Sequence, residues 1–212
     1  MKFLIVDDHS LIRNGMRLAL ESLDGAAIIL EAKNASEAFA LLEQHHDLDL
    51  VLLDLGLPGM DGLTALQELH RRDSTVPVVI LSGSGDRSDV IAGLNMGAVG
   101  FIPKSSTHEV MLQALRLVLA GGVYIPPQAL GSSVLSDTGA EAGAKSASDL
   151  GLTDRQAQVL GLIAQGKPNK VIARELNIAD ATVKAHVTEI LRALKVTNRT
   201  QAVIAARKVG TR

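Results

Sequence analysis

Leu50-Val-Leu-Leu-Asp54 is a short apolar run that ends in a carboxylate, and it is one of five such runs in the first half of the chain. The other four are residues 2–6, 27–30, 78–81 and 99–102. Apolar runs of this length are typical of strands that are buried on both faces of a parallel sheet. Because a right-handed crossover must join each parallel strand to the next, the pattern predicts a (βα)5 α/β domain with a doubly wound parallel sheet.

The segments between these runs support that prediction, because their apolar residues recur at helical spacing. The first segment carries Ile12, Met16, Ala19, Leu20 and Leu23. In the last segment the apolar face is predicted to include Val110, Leu112, Leu115, Leu117 and Val118. Helices of this kind would cover both faces of the sheet.

The chain is long enough for two domains, with 212 residues of which 47% are apolar. Residues 128–149 shift in composition to Gly, Ser, Ala and Asp and lack the periodicity that an apolar face needs. That composition is typical of a flexible linker. The predicted domains are therefore residues 1–127 and residues 150–212.

The two parts of the chain carry opposite charge, although the whole chain has a net charge of only −2. Residues 1–150 contain 10 Lys and Arg against 19 Asp and Glu, a net charge of −9. Residues 151–212 contain 11 against 4, a net charge of +7, which indicates a protein that binds a polyanion such as DNA. Because the whole chain has only three Phe and one Tyr, a stacking platform for single-stranded nucleic acid is not expected.

The composition also bears on where the protein works. The chain has no cysteine, which excludes disulfides and thiolate metal sites and suits a reducing compartment. No apolar run reaches the roughly 18–20 residues that a membrane span needs, and Asp7 and Asp8 come too early for a signal peptide. We therefore expect a cytoplasmic protein without a membrane partner.

The C-terminal part is predicted to be an all-α domain of four short helices. Thr153 and Gln156 have the spacing of a capping box at the start of the first helix. The caps predicted for the other three helices are Asn169, Asp180 and Asn198. Residues 177–179 leave only a tight connection between the second and third helices, and so short a connection is typical of a helix-turn-helix.

Polar and charged residues follow the predicted strands of the first domain. Asp7 and Asp8 come after the first strand, Asp54 after the third, Ser82 after the fourth and Lys104 after the fifth. Because the carboxyl ends of parallel strands meet at one edge of the sheet, these side chains are expected to converge. Three carboxylates together require a cation, and an all-oxygen site favours Mg²⁺. Asp54 is a plausible nucleophile on phosphorus, with Lys104 and Ser82 binding the phosphoryl oxygens.

Taken singly, these residues also have ordinary structural explanations. Asp7 or Asp8 alone can be a strand-end cap, and Lys104 alone a solvated loop charge. A lone aromatic at a strand end, such as Phe101, is more often part of the core. The histidines show no shared metal-ligand spacing and are expected to stay outside any metal site: His9, His45, His46, His70 and His108.

Asp7-Asp8, residues 53–62, Ser82-Gly83 and Lys104 together closely resemble the receiver domain of response regulators. The resemblance implies that Asp54 accepts a phosphoryl group from a sensor histidine kinase. It also implies a Mg²⁺ site formed by Asp7, Asp8, Asp54 and the backbone carbonyl of Gly56. Phe101 would be the switch aromatic that reports phosphorylation together with Ser82. The chain departs from the family at Pro103, which precedes Lys104, whereas the family often has proline after the lysine with a cis bond.

The third helix of the C-terminal domain has a predicted buried stripe of Val183, Val187, Ile190, Leu191 and Leu194. The opposite face is predicted to enter the DNA major groove with Lys184, Ala185, Thr188 and Arg192. Residues near helix starts and flanks are predicted to contact phosphates: Asn169, Lys170, Thr182, His186, Asn198, Arg199 and Thr200. The alternative for such a basic face is simple solvation, which the net charge and the short turn disfavour.

Residues 152–160, 169–173, 182–187 and 198–203 resemble the LuxR-type DNA-binding domain. The whole chain is thus similar to a response regulator of the LuxR/NarL type, controlling transcription in a two-component system. The resemblance implies double-stranded DNA as a partner, with RNA polymerase a further candidate. A homodimer is expected, because helix-turn-helix proteins usually read paired half-sites.

Two other functions remain open at this stage. The acidic site could belong to a phosphatase that turns over external substrates, but Gly56 stands two residues after Asp54, where such an enzyme would carry an acid/base carboxylate. A regulator is therefore expected rather than an enzyme. Alternatively, the chain could be a DNA-binding transcription factor that works without phosphorylation and uses its N-terminal part for protein contacts.

Overall fold

The computed structural model describes residues 1–83, 86–129 and 152–208. The chain divides into two compact units, Met1–Gly131 and Ser132–Arg212. Within the described residues, no helix combines the length and the apolar character required to span a bilayer.

The first unit contains a five-stranded parallel sheet. Its strands are β1 (Lys2–Val6), β2 (Ile28–Ala32), β3 (Leu50–Asp54), β4 (Val78–Ser82) and β5 (Gly100–Pro103), in the spatial order β2-β1-β3-β4-β5. Every pairing is parallel. The predicted (βα)5 fold is therefore confirmed, with strand ends that differ from the predicted runs by one or two residues.

Five helices cover the two faces of this sheet: α1 (Ser10–Leu23), α2 (Ala35–Gln44), α3 (Gly62–Arg72), α4 (Arg87–Asn95) and α5 (His108–Leu119). Successive strand residues point to opposite faces, so Leu4 and Val6 join one apolar cluster while Phe3 and Ile5 join the other. The first cluster packs against α2, α3 and α4, and the second packs against α1 and α5. The inner strands β1, β3 and β4 are thus buried on both faces, which explains their continuous apolar sequences, whereas the edge strand β2 is partly exposed.

The predicted apolar face of α5 was partly wrong. Val110 and Leu117 are 40% and 45% exposed, whereas Leu115 and Val118 are buried. The buried stripe also includes Met111 and Ala114, at spacings of three, one and three residues. Val110 and Leu117, seven residues apart, lie on a neighbouring stripe of the same helix, so their apolar character did not indicate burial.

The chain returns to the sheet after α5. The Phe101 N–H donates to the Tyr124 carbonyl at 3.0 Å, and the Tyr124 N–H donates to the Val99 carbonyl at 3.2 Å. Pro127–Ala129 then form a 3-10 turn in which Ala129 is only 4% exposed. Two residues of the predicted linker, Gln128 and Ala129, therefore belong to this turn, and the rest of residues 128–149 lies outside the described residues.

The second unit is built from helices α6 (Asp154–Ala164), α7 (Asn169–Leu176), α8 (Asp180–Leu194) and α9 (Arg199–Lys208) around one apolar core. The predicted capping box is present at Thr153, and the Asn198 carboxamide oxygen accepts from the Gln201 N–H at 2.9 Å. Asn169 and Asp180 are not caps. Pro168 and Ala179 occupy those positions, so the two polar residues begin their helices one position later.

Candidate functional site

The acidic residues of the first unit meet Lys104 at the carboxyl edge of the sheet. Asp7 follows β1, Asp54 ends β3, and Lys104 follows β5. The Lys104 ammonium lies 2.8 Å from Asp7 Oδ2 and 2.8 Å from Asp54 Oδ2. Asp7 is fully buried and Asp54 is 2% exposed, so the ammonium compensates two carboxylates that water barely reaches.

The electrostatics of this cluster depend on the ammonium. Burial by itself would lower the pKa of Lys104, but hydrogen bonding and charge attraction from Asp54 and Asp7 outweigh it and raise that pKa. Asp7 Oδ2 and Asp54 Oδ2 are buried, and each of them contacts the Lys104 ammonium. Donor atoms of Asp7, Asp8, His9 and Asp54 all lie within 4.8 Å of one another. The aspartate oxygens fit a divalent cation such as Mg²⁺.

Arg13 of α1 fixes the backbone that carries the two N-terminal aspartates. Its Nη1 donates to the Asp7 carbonyl at 2.8 Å and to the Asp8 carbonyl at 3.1 Å, and its Nε donates to Glu31 Oε2 at 2.9 Å. Burial would raise the pKa of Glu31, but Arg13 and Arg17 outweigh it and lower that pKa. This role of Arg13 was not predicted, because nothing in its spacing distinguishes it from a solvated helix residue.

His9 also lies in the cluster, contrary to the expectation that no histidine would. Its Nδ1 is 2.7 Å from Asp8 Oδ1 and 3.3 Å from Asp7 Oδ1. The His9 backbone N–H donates to Asp7 Oδ1 at 2.8 Å. The position of His9 directly after Asp7 and Asp8 is the sequence signal for this contact, and it is independent of any spacing between histidines.

Two glycines shape the loop after Asp54. The Gly56 N–H donates to Asp54 Oδ1 at 3.0 Å, and a Cβ on Gly56 would lie at an ordinary van der Waals distance of 3.5 Å from Asp54 Oδ2. At Gly62 a Cβ would lie 2.3 Å from the Leu55 Cα, so only glycine lets α3 begin this close to the end of β3. The Gly56 N–H thus orients the Asp54 side chain; the Gly56 carbonyl as a metal ligand stays a prediction.

Ser82 ends β4 beside the cluster, whereas Phe101 lies in the neighbouring strand β5, opposite Ile80. Ser82 is 4% exposed, lines the same cleft as Asp54 and Lys104, and its carbonyl accepts from the Lys104 N–H at 2.7 Å. Phe101 is 1% exposed and packs in the cluster beneath α3 and α4. The Lys104–Ser105 peptide bond is trans. The switch role of Phe101 and Ser82 stays a prediction.

In the second unit, α8 buries one face and exposes the other. Val183, Val187, Ile190 and Leu191 are buried, whereas Leu194 is half-buried. The residues predicted to face DNA are exposed or half-buried: Thr182, Lys184, Ala185, His186, Thr188 and Arg192. Glu189, which was not among the predicted residues, also lies on this face, and its Oε1 accepts from Arg192 Nη1 at 2.6 Å.

Three predicted phosphate contacts have internal partners in the structure. Asn198 is 1% exposed and caps α9. Its side chain is therefore buried, whereas a phosphate contact was predicted for it. Arg199 donates from Nη1 to Asn169 Oδ1 at 2.8 Å and from Nη2 to the Lys167 carbonyl. Burial lowers the pKa of Arg199 to about 10. Arg199 thus joins the start of α9 to the start of α7, while Lys170 is exposed and Thr200 half-buried.

Comparison with known protein families covers most of the chain. Residues 3–116 match the response regulator receiver domain, and residues 150–206 match the luxR family of bacterial regulatory proteins. The first match spans β1 to α5 and includes the whole acidic cluster. The second spans α6, α7, α8 and most of α9.

Individual relatives agree with these matches along nearly the full length. The glycerol metabolism activator of Pseudomonas putida is 41% identical over 208 residues, covering 97% of this chain and 94% of the relative. The nitrate/nitrite response regulator protein NarP of Escherichia coli (strain K12) is 40% identical over 212 residues, covering 95% and 92%. The solved LuxR-family two-component response regulator from Aurantimonas sp. SI85-9A1 is 30% identical, with a TM-score of 0.56 over 60% of this chain and 91% of that chain.

Proposed function

The chain belongs to the two-component response regulators that join a receiver domain to a LuxR-type DNA-binding domain, and on this basis we propose that phosphorylation of Asp54 controls its binding to DNA. The receiver domain is residues 1–127 with the adjoining turn, and the DNA-binding domain is residues 150–212. The observation that carries the proposal is the Lys104 ammonium placed 2.8 Å from both Asp7 and Asp54. A cationic group is therefore already positioned where a phosphoryl group on Asp54 would need compensation.

The phosphoryl donor is a phosphohistidine of a sensor histidine kinase or a small acyl phosphate. An Asp54 carboxylate oxygen attacks phosphorus, the new O–P bond forms, and the bond to the donor breaks with its electron pair leaving on the donor. Asp7, Asp8, Asp54 and the Gly56 carbonyl would hold Mg²⁺, which neutralises charge on the transferring group. Lys104 then pairs with a phosphoryl oxygen, and the Ser82 hydroxyl donates to another.

A mapping experiment tests this assignment. The full-length protein is incubated with Mg²⁺ and acetyl phosphate, and the modified residue is located by mass spectrometry after reductive trapping. The wild type is expected to be labelled on Asp54, and Asp54→Asn is expected to carry no label. Asp47→Asn, an exposed control on the opposite edge of the sheet, should be labelled like the wild type. Label elsewhere, or equal uptake by Asp54→Asn, contradicts it.

The DNA-binding part of the proposal places the exposed face of α8 in the major groove. Lys184, Ala185, Thr188 and Arg192 would contact base edges, and Lys170, Thr182 and His186 would contact phosphates. The exposure of Ala185, Thr188 and Arg192 supports this arrangement. A homodimer on paired half-sites, RNA polymerase as a further partner, and a cytoplasmic location complete the proposed function.

Binding-site selection tests the role of α8. Duplexes are selected from a random pool by the wild-type protein and then used as the probe. Lys184→Ala is expected to relax base preference and to lower affinity by about 1 to 3 kcal/mol, while Arg71→Ala, an exposed change in the receiver domain, leaves both unchanged. Selection of the same sites at the same affinity by Lys184→Ala contradicts the assignment of α8.

A further inference from the structure

His9 occupies the N-cap position of α1, but its side chain makes no capping hydrogen bond. The ring turns towards the carboxylates instead, with Nδ1 at 2.7 Å from Asp8 Oδ1 and 3.3 Å from Asp7 Oδ1. A bare ring nitrogen and a carboxylate oxygen would repel each other at these distances, so Nδ1 carries a hydrogen. His9 is therefore a donor directed at the acidic cluster.

Asp8 is the aspartate that most needs such a donor. Its side chain is 37% exposed, whereas the side chains of Asp7 and Asp54 are 0% and 2% exposed and are held by Lys104. Arg13 fixes the Asp8 backbone carbonyl but makes no contact with its carboxylate. Among the described residues, the His9 ring is the group that contacts the Asp8 carboxylate.

We infer that His9 is a positioning residue for the divalent cation: its Nδ1, hydrogen-bonded to Asp7 Oδ1 and 2.7 Å from Asp8 Oδ1, holds that Asp8 oxygen so that the other faces the cation site. This rests on the proposed function. Mg²⁺ demands nearly ideal octahedral geometry, so a freely rotating carboxylate is a poor ligand for it. Groups that orient metal ligands through hydrogen bonds typically contribute about 10- to 100-fold in metal affinity. The lower end is expected here, because the His9 side chain is 64% exposed.

Isothermal titration of the full-length protein with MgCl₂ tests the inference without requiring phosphorylation. His9→Ala is expected to bind Mg²⁺ about tenfold more weakly than the wild type. His9→Asn, whose Nδ2–H can take the place of the imidazole Nδ1–H, should recover most of that loss. His45→Ala, on the opposite edge of the sheet beyond α2, is the matched control and should bind like the wild type. Thermal unfolding in EDTA checks that each variant is folded before Mg²⁺ is added.

Unchanged or tighter Mg²⁺ binding by His9→Ala overturns the inference, and so does an Asn variant as weak as the Ala variant. Asp8→Asn and Asp54→Asn separate this outcome from a failure of the proposed function. If these two variants also bind Mg²⁺ like the wild type, the cation site itself is wrong. If they lose Mg²⁺ and His9→Ala does not, only the role of His9 is wrong.

Discussion

At the scale of single residues, Lys104 links the acidic site to the stability of the receiver domain. Its ammonium contacts two buried carboxylates, and removal of one partner from a buried charge cluster leaves the other charges uncompensated. A bound divalent cation would supply the same compensation. The lysine and the cation therefore contribute to stability in overlapping ways.

Lys104→Met should therefore destabilise the receiver domain by about 2 to 4 kcal/mol in EDTA, and by less in saturating Mg²⁺. Urea unfolding followed by circular dichroism, with and without Mg²⁺, measures both values. Lys33→Met, at an exposed position, is the control and should change stability by less than about 0.5 kcal/mol. A Lys104→Met protein as stable as the wild type in EDTA, or a deficit that Mg²⁺ leaves unchanged, is incompatible with this role.

His70 of α3 makes the stability of the receiver domain depend on pH. It is 7% exposed, and its Nδ1–H donates to the Met96 carbonyl at 3.1 Å, at the end of α4. Burial lowers its pKa from 6.5, outweighing the opposing effects of Met96 and the Asp73 charge. The folded protein thus binds this proton less readily than the unfolded chain. The contribution of neutral His70 to stability is therefore fully present above pH 6.5 and is lost as the pH falls below that value.

Urea unfolding at about pH 7.5 and pH 5.5 tests this dependence. The wild type should lose more stability between the two pH values than His70→Asn, which keeps a donor for Met96 but does not titrate. His108→Asn, at an exposed position, should behave like the wild type. Equal losses in the wild type and His70→Asn exclude His70 as the cause.

The sequence predicted the central residues of the acidic site but not those that position them. Asp7, Asp54 and Lys104 were predictable because the carboxyl ends of parallel strands meet at one edge. Arg13 was not, because its contacts depend on how the backbone turns between β1 and α1, and His9 was indicated only by its position directly after Asp7 and Asp8. No periodic pattern contains that information.

At the scale of elements, apolar spacing predicted which segments are helices better than it predicted which face of a helix is buried or where the helix begins. Val110 and Leu117 matched the expected spacing of α5 but lie outside its buried stripe. Asn169 and Asp180 were displaced from the cap by one residue, because Pro168 and Ala179 adopt the extended conformation that a cap needs. Propensity leaves such shifts undetermined, since packing fixes the phase of a helix.

Arg199 was predicted to contact a DNA phosphate, but in the structure it connects α9 to α7 instead of pointing away from the domain. Arg199→Leu should lower the stability of the DNA-binding domain by about 2 kcal/mol, since Asn169 and the Lys167 carbonyl lose their donor. The salt dependence of DNA binding by the folded fraction should stay unchanged. Lys170→Ala, at an exposed proposed phosphate contact, should instead keep the stability and reduce the slope of log K against log salt by about 0.9.

Fluorescence anisotropy over a salt series, combined with thermal unfolding, measures both properties for each variant. A salt slope reduced by about one unit in Arg199→Leu would return this residue to the phosphate-contacting set. Its pKa of about 10 reflects burial, which agrees with the internal position.

At the scale of the whole molecule, the chain combines an acidic and a basic part with different tasks. The net charges of −9 and +7 were readable from the sequence, and they assigned cation binding to one part and DNA binding to the other. The family matches follow the same division. Composition cannot give the coupling between the two parts, because coupling depends on differences in free energy between states of the protein.

The affinity for DNA with and without a phosphoryl donor tests the central claim most directly. The probe is a duplex selected by the wild-type protein, and the wild type and Asp54→Asn are each titrated in Mg²⁺ before and after treatment with acetyl phosphate. Treatment should tighten binding of the wild type by about fivefold or more and leave Asp54→Asn unchanged. An unchanged wild-type affinity, or the same gain in Asp54→Asn, would contradict the account.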